Sequence, residues 1–194
     1  MSIVLVGSSS GSITLQEPAV AGTTTLNLPA TSGTVLVGGT QNIPKSALPT
    51  GSVLQVVNGF TSTAVTTTVN QTYIDTGITA TITPLFASSR IMVLVNLCGM
   101  HRTGGNSWNR MGIRMLRGAT IIGTEALAQS WPNTALEFRN GGLMYSKLDS
   151  PATTSATTYK VQFQGEVLSD NTGLTVQRDG NSGESQIFLM EIAS

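Results

Sequence analysis

Short runs of alternating apolar and polar residues recur along the chain after residue 52. Segment 159–164, Tyr-Lys-Val-Gln-Phe-Gln, is the clearest example. Its apolar residues share one face and its polar residues the other, because successive residues of a β-strand point to opposite sides. Such runs, bounded by turn-forming residues, predict strands at 53–57, 64–69, 72–83, 90–98, 112–117, 120–124, 136–145, 158–167, 174–178 and 186–192. We therefore predict an all-β fold, an antiparallel, jelly-roll-like β-sandwich of about seven or eight main strands.

Two of the predicted strands are apolar on both faces, at 91–97 and at 187–190. A strand covered on both sides lies either in the middle of a sandwich or at a subunit interface. Helix is nearly absent from the prediction, and only segment 125–130 is expected to form a single helical turn.

The first 51 residues differ from the rest in composition. Only Glu17 and Lys45 are charged there, and a Thr-Leu-x-x-Pro-Ala-x-x-Gly unit at 14–22 recurs at 25–33. Each unit predicts a short strand that ends where proline cannot donate to a ladder and glycine permits a reversal. Such a unit cannot bury its apolar side alone, so the repeats predict stacking on neighbours or on other copies of the chain. The alternative is a disordered linker.

Segment 40–52 contains two prolines and a glycine between apolar stretches and predicts a hinge. We therefore divide the chain into an N-terminal attachment and assembly module, residues 1–51, and a C-terminal β-sandwich knob, residues 52–194. The unburied repeats and the doubly apolar strands together predict a homotrimer.

Composition excludes several classes of partner. Charged residues make up only 10% of the chain and the formal net charge is zero, so no general field attracts nucleic acid or anionic lipid. No apolar run has the roughly 18 residues of a membrane span, and no secretory signal is recognisable. The single cysteine, Cys98, follows an apolar run and is expected to be a small buried hydrophobic residue.

The residues that support catalysis or metal binding are scarce. The acidic residues are isolated along the sequence, whereas glycan hydrolysis needs a facing pair of carboxylates. His101 is the only histidine, too few for a histidine–cysteine metal cluster, and no phosphate-binding glycine loop occurs. The sequence therefore predicts no enzyme, no catalytic residue, no metal and no cofactor, and it assigns Cys98 and His101 a structural role.

One loop carries a candidate binding site. Segment 100–110 contains glycines between two apolar strands and places Arg102 and Arg110 on either side of Trp108. A tryptophan beside arginines can stack on a sugar ring and hydrogen-bond its hydroxyl or carboxylate groups. Trp131, before Pro132, is a second candidate. In the alternative interpretation, Trp108 covers the end of the sandwich and the arginines pair with Glu125 and Glu137.

Several segments carry a family resemblance. Residues 7–15 and 21–36, together with 53–57, 73–77, 80–84, 88–91 and 189–192, resemble segments of tail-fibre-like and other virion proteins of bacteriophages, cyanophages among them. The resemblance implies a homotrimer assembled in the host cytoplasm and located in the virion, where residues 1–51 contact other virion proteins of the tail or capsid. It implies attachment or decoration, and it supplies no catalytic residue.

Three functions are consistent with these patterns. The first is a short trimeric fibre or spike whose N-terminal module attaches to the particle while the knob binds a host receptor or surface glycan. The second is a capsid decoration or cement protein that stabilises the head, which the short length of the chain favours. The third, ranked last, is a glycan hydrolase.

Overall fold

The computed structural model describes residues 2–6, 9–16, 22, 44–102, 109–130, 138–166, 173–178 and 184–194. The chain forms two compact units, Met1–Asn42 and Ile43–Ser194. The division falls inside the segment 40–52 that the sequence predicts as a hinge. Residues 51 and 52 are already fastened to the second unit, because Gly51 donates its N–H to the carbonyl of Ala193 (2.8 Å) and Ala193 donates to Ser52 (2.9 Å).

The described part of the first unit is a hairpin of β1 (Ser2–Val6) and β2 (Ser12–Gln16). Its antiparallel register pairs Ile3 with Leu15 and Leu5 with Ile13. Val4 and Val6, at the alternate positions, are 54% and 79% exposed. The hairpin therefore carries apolar residues at both sets of alternate positions, and two strands alone cannot bury both sets. The second repeat, 25–33, lies outside the described residues.

The second unit is a β-sandwich. Its strands are β3 Val53–Thr61, β4 Val65–Thr67, β5 Ile74–Ile82, β6 Arg90–Arg102, β7 Asn109–Arg117, β8 Thr120–Ser130, β9 Phe138–Asp149, β10 Thr157–Glu166, β11 Leu174–Val176 and β12 Ser185–Ile192. One sheet has the order β5-β10-β7-β8, and the other has the order β3-β12-β6-β9. The short strand β11 pairs with the end of β6 that extends beyond β12, and β4 pairs with β11, so both belong to the second sheet. All these strand pairs are antiparallel, and the order is that of a jelly roll.

The predicted all-β sandwich is confirmed, and each of the ten predicted strands corresponds to a strand of this unit. The helical turn predicted at 125–130 is wrong, because these residues form the second half of β8. There Glu125 pairs with Ile113, Ala126 with Gly112 and Ala128 with Met111 of β7. Glu, Ala, Leu and Gln favour a helix locally, but pairing with a neighbouring strand outweighs that preference.

The core lies between the two sheets and is built from the inward positions of the central strands. Ile91, Val93, Val95 and Leu97 of β6 are at most 1% exposed. Tyr159, Val161 and Phe163 of β10 meet them, and Ile187 and Leu189 of β12 complete the layer. Each such side chain contributes roughly 1.5–3 kcal/mol by its burial. Strands β6 and β12 lie inside their sheet, which is one of the two positions predicted from their doubly apolar pattern.

The outer side of the β3-β12-β6-β9 sheet is also largely apolar. We call it the outer apolar face and define it by three register rows of four residues each. The rows are Val56, Met190, Met92 and Leu148; Asn58, Phe188, Leu94 and Ser146; and Phe60, Gln186, Asn96 and Met144. None of these positions is charged. Met144 is 78% exposed and Phe60 64% exposed, and a depression of about 360 Å³ lies around Leu94 and Phe188.

The outer side of the other sheet is polar and its groups are paired. Arg114 donates from Nε to Gln162 (2.7 Å), whose amide donates to Asp75 (2.7 Å). Lys160 Nζ lies 3.0 Å from the same carboxylate. Partial burial acts to raise the pKa of Asp75, but the hydrogen bonds from Gln162 and Lys160 outweigh it and hold that pKa below its usual value. This is an ordinary water-facing surface of an antiparallel sheet.

A network at one end of the sandwich joins the two sheets. Arg117, at the end of β7, makes two hydrogen bonds to the carboxylate of Asp149 on β9 (2.9 and 2.7 Å). The hydroxyl of Tyr159 on β10 donates to the same carboxylate (2.8 Å). Burial and the neighbouring carboxylate of Asp149 raise the pKa of Tyr159 well above its usual value, so its hydroxyl remains a donor. The network therefore connects strands of both sheets through one carboxylate.

Glu191 fastens the connection between β5 and β6. Its carboxylate is fully buried and accepts hydrogen bonds from the backbone N–H groups of Leu85 (2.8 Å) and Phe86 (3.3 Å) and from the amide of Gln55 (2.5 Å). Burial acts to raise the pKa of this carboxyl, but the hydrogen bonds dominate and the pKa lies below its ordinary value of 4.5. The ionised form is therefore the one that stabilises the fold.

We expect this carboxylate to make stability depend on acid. A lowered folded-state pKa contributes stability above the unfolded-state value, and the contribution is lost as the pH falls through the folded-state pKa. The urea midpoint should therefore be constant from neutral pH down to near 4.5, the ordinary value, and should fall at lower pH. Glu191→Gln should lower the free energy of unfolding at pH 7 by about 2 kcal/mol, because a neutral amide replaces the carboxylate that accepts from the backbone N–H donors. If the stability of Glu191→Gln fell as steeply with acid as that of the wild type, the acid-induced loss of stability would come from other carboxylates.

Candidate binding end of the sandwich

One end of the sandwich gathers the connections that carry the predicted binding residues. Arg102, the last residue of β6, pairs with Phe138 at the start of β9 and with Leu174 at the start of β11. Asn109, the first residue of β7, pairs with Ser130, the last of β8. The strand ends that border segments 103–108, 131–137 and 167–172 therefore lie at the same end of the sandwich, which we call the binding end. This convergence follows from the alternation of strand direction in a jelly roll.

The structure fixes backbone positions for two of the four predicted site residues. Arg102 ends β6 and Arg110 is the second residue of β7, so they lie in different sheets at the binding end. Trp108 and Trp131 lie outside the described residues. Their neighbours in sequence, Asn109 and Ser130, are a register pair.

Of the two glutamates named as alternative partners of the arginines, only Glu125 lies among the described residues. Glu125 lies opposite Ile113 in the β7–β8 register, and Glu137 is outside the described residues. The register instead places Glu166, at the end of β10, opposite Arg110. A glutamate that sequence reasoning did not connect with Arg110 is thus its direct cross-strand neighbour.

Cys98 and His101 have structural surroundings at the binding end, as predicted. Cys98 is buried, its backbone N–H donates to the hydroxyl of Ser185 (3.0 Å), and its Sγ is 3.2 Å from that hydroxyl. His101 is 7% exposed, and Arg178 Nη1 lies 2.6 Å from its Nδ1 and also contacts Nε2. A guanidinium can only donate and a neutral imidazole has one acceptor nitrogen, so only one of the two contacted ring nitrogens accepts. Arg178 was missed because 77 residues separate it from His101.

Gln177 is an unusual residue beside this cluster. It has a positive φ of 52°, a conformation that costs energy for a residue other than glycine, and it is 1% exposed. Its backbone N–H donates to the carbonyl of Cys98 (3.0 Å). Within the described part of the chain, neither atom of its side-chain amide has a hydrogen-bond partner. The backbone bond holds Gln177 in place, and no pattern in the sequence predicts this geometry.

The connection between β4 and β5 covers the edge of the binding end. Asn70 forms a bridge with Gly165, and Gln71 donates its N–H to the carbonyl of Gly165 (2.9 Å). Tyr73 follows, and the guanidinium of Arg114 lies over its ring, 4.2 Å from the centroid. An arginine stacked on an aromatic ring is held in one orientation. This ordered aromatic and cationic pair lies on the outer side of the β5-β10-β7-β8 sheet, four residues along β7 from Arg110.

Across ranges 44–102, 109–130, 138–166, 173–178 and 184–194, no three His, Cys, Asp or Glu side chains are placed to hold a metal ion. The same part of the chain contains no helix long and apolar enough to cross a bilayer.

These features define the chain as an antiparallel jelly-roll protein with a loop-bearing end. No protein-family model matches its sequence, and no curated protein matches it significantly. Among solved structures, that of infectious bursal disease virus, Gx strain, aligns with 73% of this chain and 33% of its own, at 11% identity and a TM-score of 0.39.

Two further structures are similar to a comparable part of the chain. The insecticidal delta-endotoxin of Bacillus thuringiensis aligns with 69% of this chain and 19% of its own, at 12% identity and a TM-score of 0.36. A Bacillus endospore appendage protein, described as forming disulfide-linked pili, aligns with 79% of this chain and 100% of its own, at 14% identity and a TM-score of 0.29. The chain thus spans about a fifth of the endotoxin chain and a third of the bursal disease virus chain. The fold assignment depends on the strand order described above.

Proposed function

We propose that the chain is a non-enzymatic structural protein of a bacteriophage particle, a short trimeric fibre or spike that presents its jelly-roll sandwich for attachment to a host surface glycan. The observation that supports this function is the convergence of three connections at the binding end. The flanks of Trp108 and Trp131 pair there, and Arg102 and Arg110 occupy the adjoining strand ends. Loops on a rigid scaffold are where binding residues concentrate.

The chemistry of the binding end suits a carbohydrate with hydroxyl or carboxylate groups. Aromatic side chains stack on the apolar side of a sugar ring, and arginine donates paired hydrogen bonds to carboxylates. The stack of Arg114 on Tyr73, on the outer side of the β5-β10-β7-β8 sheet, holds these two types of group in a fixed orientation near this end. The sandwich supplies a rigid support at this end, because the inward residues of its central strands are buried.

The N-terminal unit has the properties of an attachment and assembly element. Its described hairpin carries apolar residues at both sets of alternate positions, including the exposed Val4 and Val6. Two strands of this kind become stable by adding strands or by covering their faces. Contact with other virion proteins and with other copies of the chain supplies that cover in the proposed particle.

Replacing Trp108 by Ala tests the binding role. We expect adsorption of the purified full-length protein to host cells, and to surface polysaccharide extracted from those cells, to fall roughly 10- to 100-fold, as when an aromatic anchor is removed. Leu85→Ala is the matched control, because Leu85 is exposed in the β5–β6 connection, away from the binding end. Binding by Trp108→Ala equal to that of Leu85→Ala would contradict a role for this loop.

Gold labelling of intact particles with an antibody against the chain separates the fibre from a capsid decoration protein. Labels at the tail support the proposed fibre or spike. Labels distributed over the head, with particles that lack the protein still infectious but more easily broken by heat, would overturn it in favour of decoration.

A further inference from the structure

We infer that the outer apolar face of the β3-β12-β6-β9 sheet is the surface through which copies of this chain contact one another. The inference names the contact surface of the oligomer and rests on the proposed assembly of the chain. It starts from the contrast between the outer sides of the two sheets. One is a hydrogen-bonded polar surface, and the other exposes methionine, phenylalanine, valine and leucine side chains.

The apolar side chains of this face form one continuous patch, in which those of the edge strands β3 and β9 are exposed and those of β12 and β6 are half-buried. Val56, Met190, Met92 and Leu148 stand side by side across four strands, because they are register partners. Phe188 and Leu94 are paired in the next row and line the depression of about 360 Å³. Single exposed apolar residues are common on soluble proteins, whereas the largest contiguous apolar patch, roughly 300–600 Å² on a typical monomer, is often functional.

The absence of charge from the three rows points to a second copy as the occupant. A foreign partner is usually selected by complementary charges, and this face offers none. Two identical neutral apolar faces meet without any repulsion between like charges, and every copy of the chain supplies the same face. On the same side of the sheet, the nearest charged positions along β6 and β12 are Arg90 and Glu184, beyond the ends of the rows. Lys147 of β9 and Glu191 of β12 lie between the rows, at the alternate positions that share a face with Val93 and Ile91.

The size of the face indicates how it is used. Four strands at about 4.8 Å spacing and five residues at about 3.4 Å rise give a patch of roughly 330 Å². A stable pairwise interface needs about 800 Å² from each partner, so this face alone gives weak association. Copies that also associate through their N-terminal hairpins would hold their outer apolar faces at a high effective concentration. A foreign partner without such a second contact would not gain this advantage.

The test places positive charge on the face at its two most exposed apolar positions. Phe60 and Met144 lie on the edge strands β3 and β9 and are 64% and 78% exposed, so the double variant Phe60→Lys/Met144→Lys should fold with an unchanged melting temperature. Like charges across the contact should weaken self-association by roughly tenfold or more in sedimentation velocity. Ile121→Lys is the matched control, because Ile121 is 50% exposed on β8 of the other sheet, and it should associate like the wild type.

A small substitution gives a second measurement if the lysine variant does not fold. Ser146 is exposed in the middle row, so Ser146→Cys should form cross-linked dimers with a short bis-maleimide, whereas Ile121→Cys should not. Native Cys98 is buried and serves as the internal control. Cross-linking of Ser146→Cys at the level of the Ile121→Cys control would overturn the inference.

The outcomes separate this inference from the proposed function. If the wild type is an oligomer and Phe60→Lys/Met144→Lys has the same oligomeric mass, the outer apolar face is not the contact surface. The proposed appendage function is unaffected by that result. If the wild type is a monomer and Phe60→Lys/Met144→Lys melts at a lower temperature, the inference is overturned. The outer apolar face would then be covered by a segment of the same chain. Loss of self-association without loss of glycan binding by the monomer supports the inference, and it shows that the binding end acts independently.

Discussion

Asp149→Ala is expected to lower the free energy of unfolding by about 3 kcal/mol, one of the two largest effects of a single substitution considered for this chain. The carboxylate accepts two hydrogen bonds from Arg117 and one from Tyr159, and its side chain is 11% exposed. Removing the carboxylate leaves the Arg117 guanidinium and the Tyr159 hydroxyl without their acceptor, at the end of the sandwich where the network joins the two sheets. Because the Arg117 side chain is 27% exposed, water recovers part of the loss, so the estimate lies at the lower limit for a buried pair.

Tyr159→Phe is the matched control for this network. It removes one hydrogen bond but keeps the fully buried ring, so the loss should be about 1 kcal/mol. Urea denaturation of both variants and of the double variant gives the coupling between the two residues. An Asp149→Ala protein as stable as Tyr159→Phe would mean that the carboxylate does not join the two sheets energetically.

Gly59→Ala should destabilise the sandwich by about 3 kcal/mol. A Cβ at residue 59, on β3, would overlap the backbone carbonyl oxygen of Thr79 on β5 and come within 3.3 Å of the Ala80 side chain. Backbone atoms of a paired strand cannot rotate away as a side chain can, so β3 and β5 would have to separate. The expected loss is at the upper end of the range for overpacking, and thermal unfolding measures it.

Gly142→Ala, on β9 of the same sheet, is the control for strand glycines in general. Its Cβ would meet the carbonyl oxygen of Leu97 at 3.4 Å, an ordinary contact distance. The substitution should change stability by less than about 1 kcal/mol, and in the stabilising direction if backbone entropy dominates. Equal melting temperatures for Gly59→Ala and Gly142→Ala would contradict close packing of β3 on β5.

The sequence predicts the strands of this protein well because nearly all of them carry the period-two pattern. Segment 159–164 is such a case, and its apolar residues prove to be core residues of β10. The prediction fails at 125–130, where the local composition favours helix and only the β7 partner makes it a strand. Strand pairing is a long-range property, so a local pattern cannot reveal it.

The candidate site is predictable in part for the same reason. Arg102 and Arg110 stand beside a loop tryptophan in the sequence, which is a local signal. The contacts of His101 with Arg178, and the register of Arg110 with Glu166, join residues that are far apart in the chain. The doubly apolar pattern predicted either the middle of the sandwich or a subunit interface. Strands β6 and β12 lie inside their sheet, and their outer residues are only partly buried.

The pairing of residues 51 and 52 with Ala193 determines how the sandwich would bear a mechanical load. The chain enters the sandwich beside the end of β12, opposite the binding end. A pull between a tether at residue 44 and a ligand at the binding end would therefore act along β3. Its ladder with β12, which runs from Thr61–Ser185 to Val53–Ile192, would be sheared as a whole instead of opened one bond at a time. Shear loads all the hydrogen-bonded pairs together, so the sandwich is oriented to resist extension in the direction that the proposed attachment would impose.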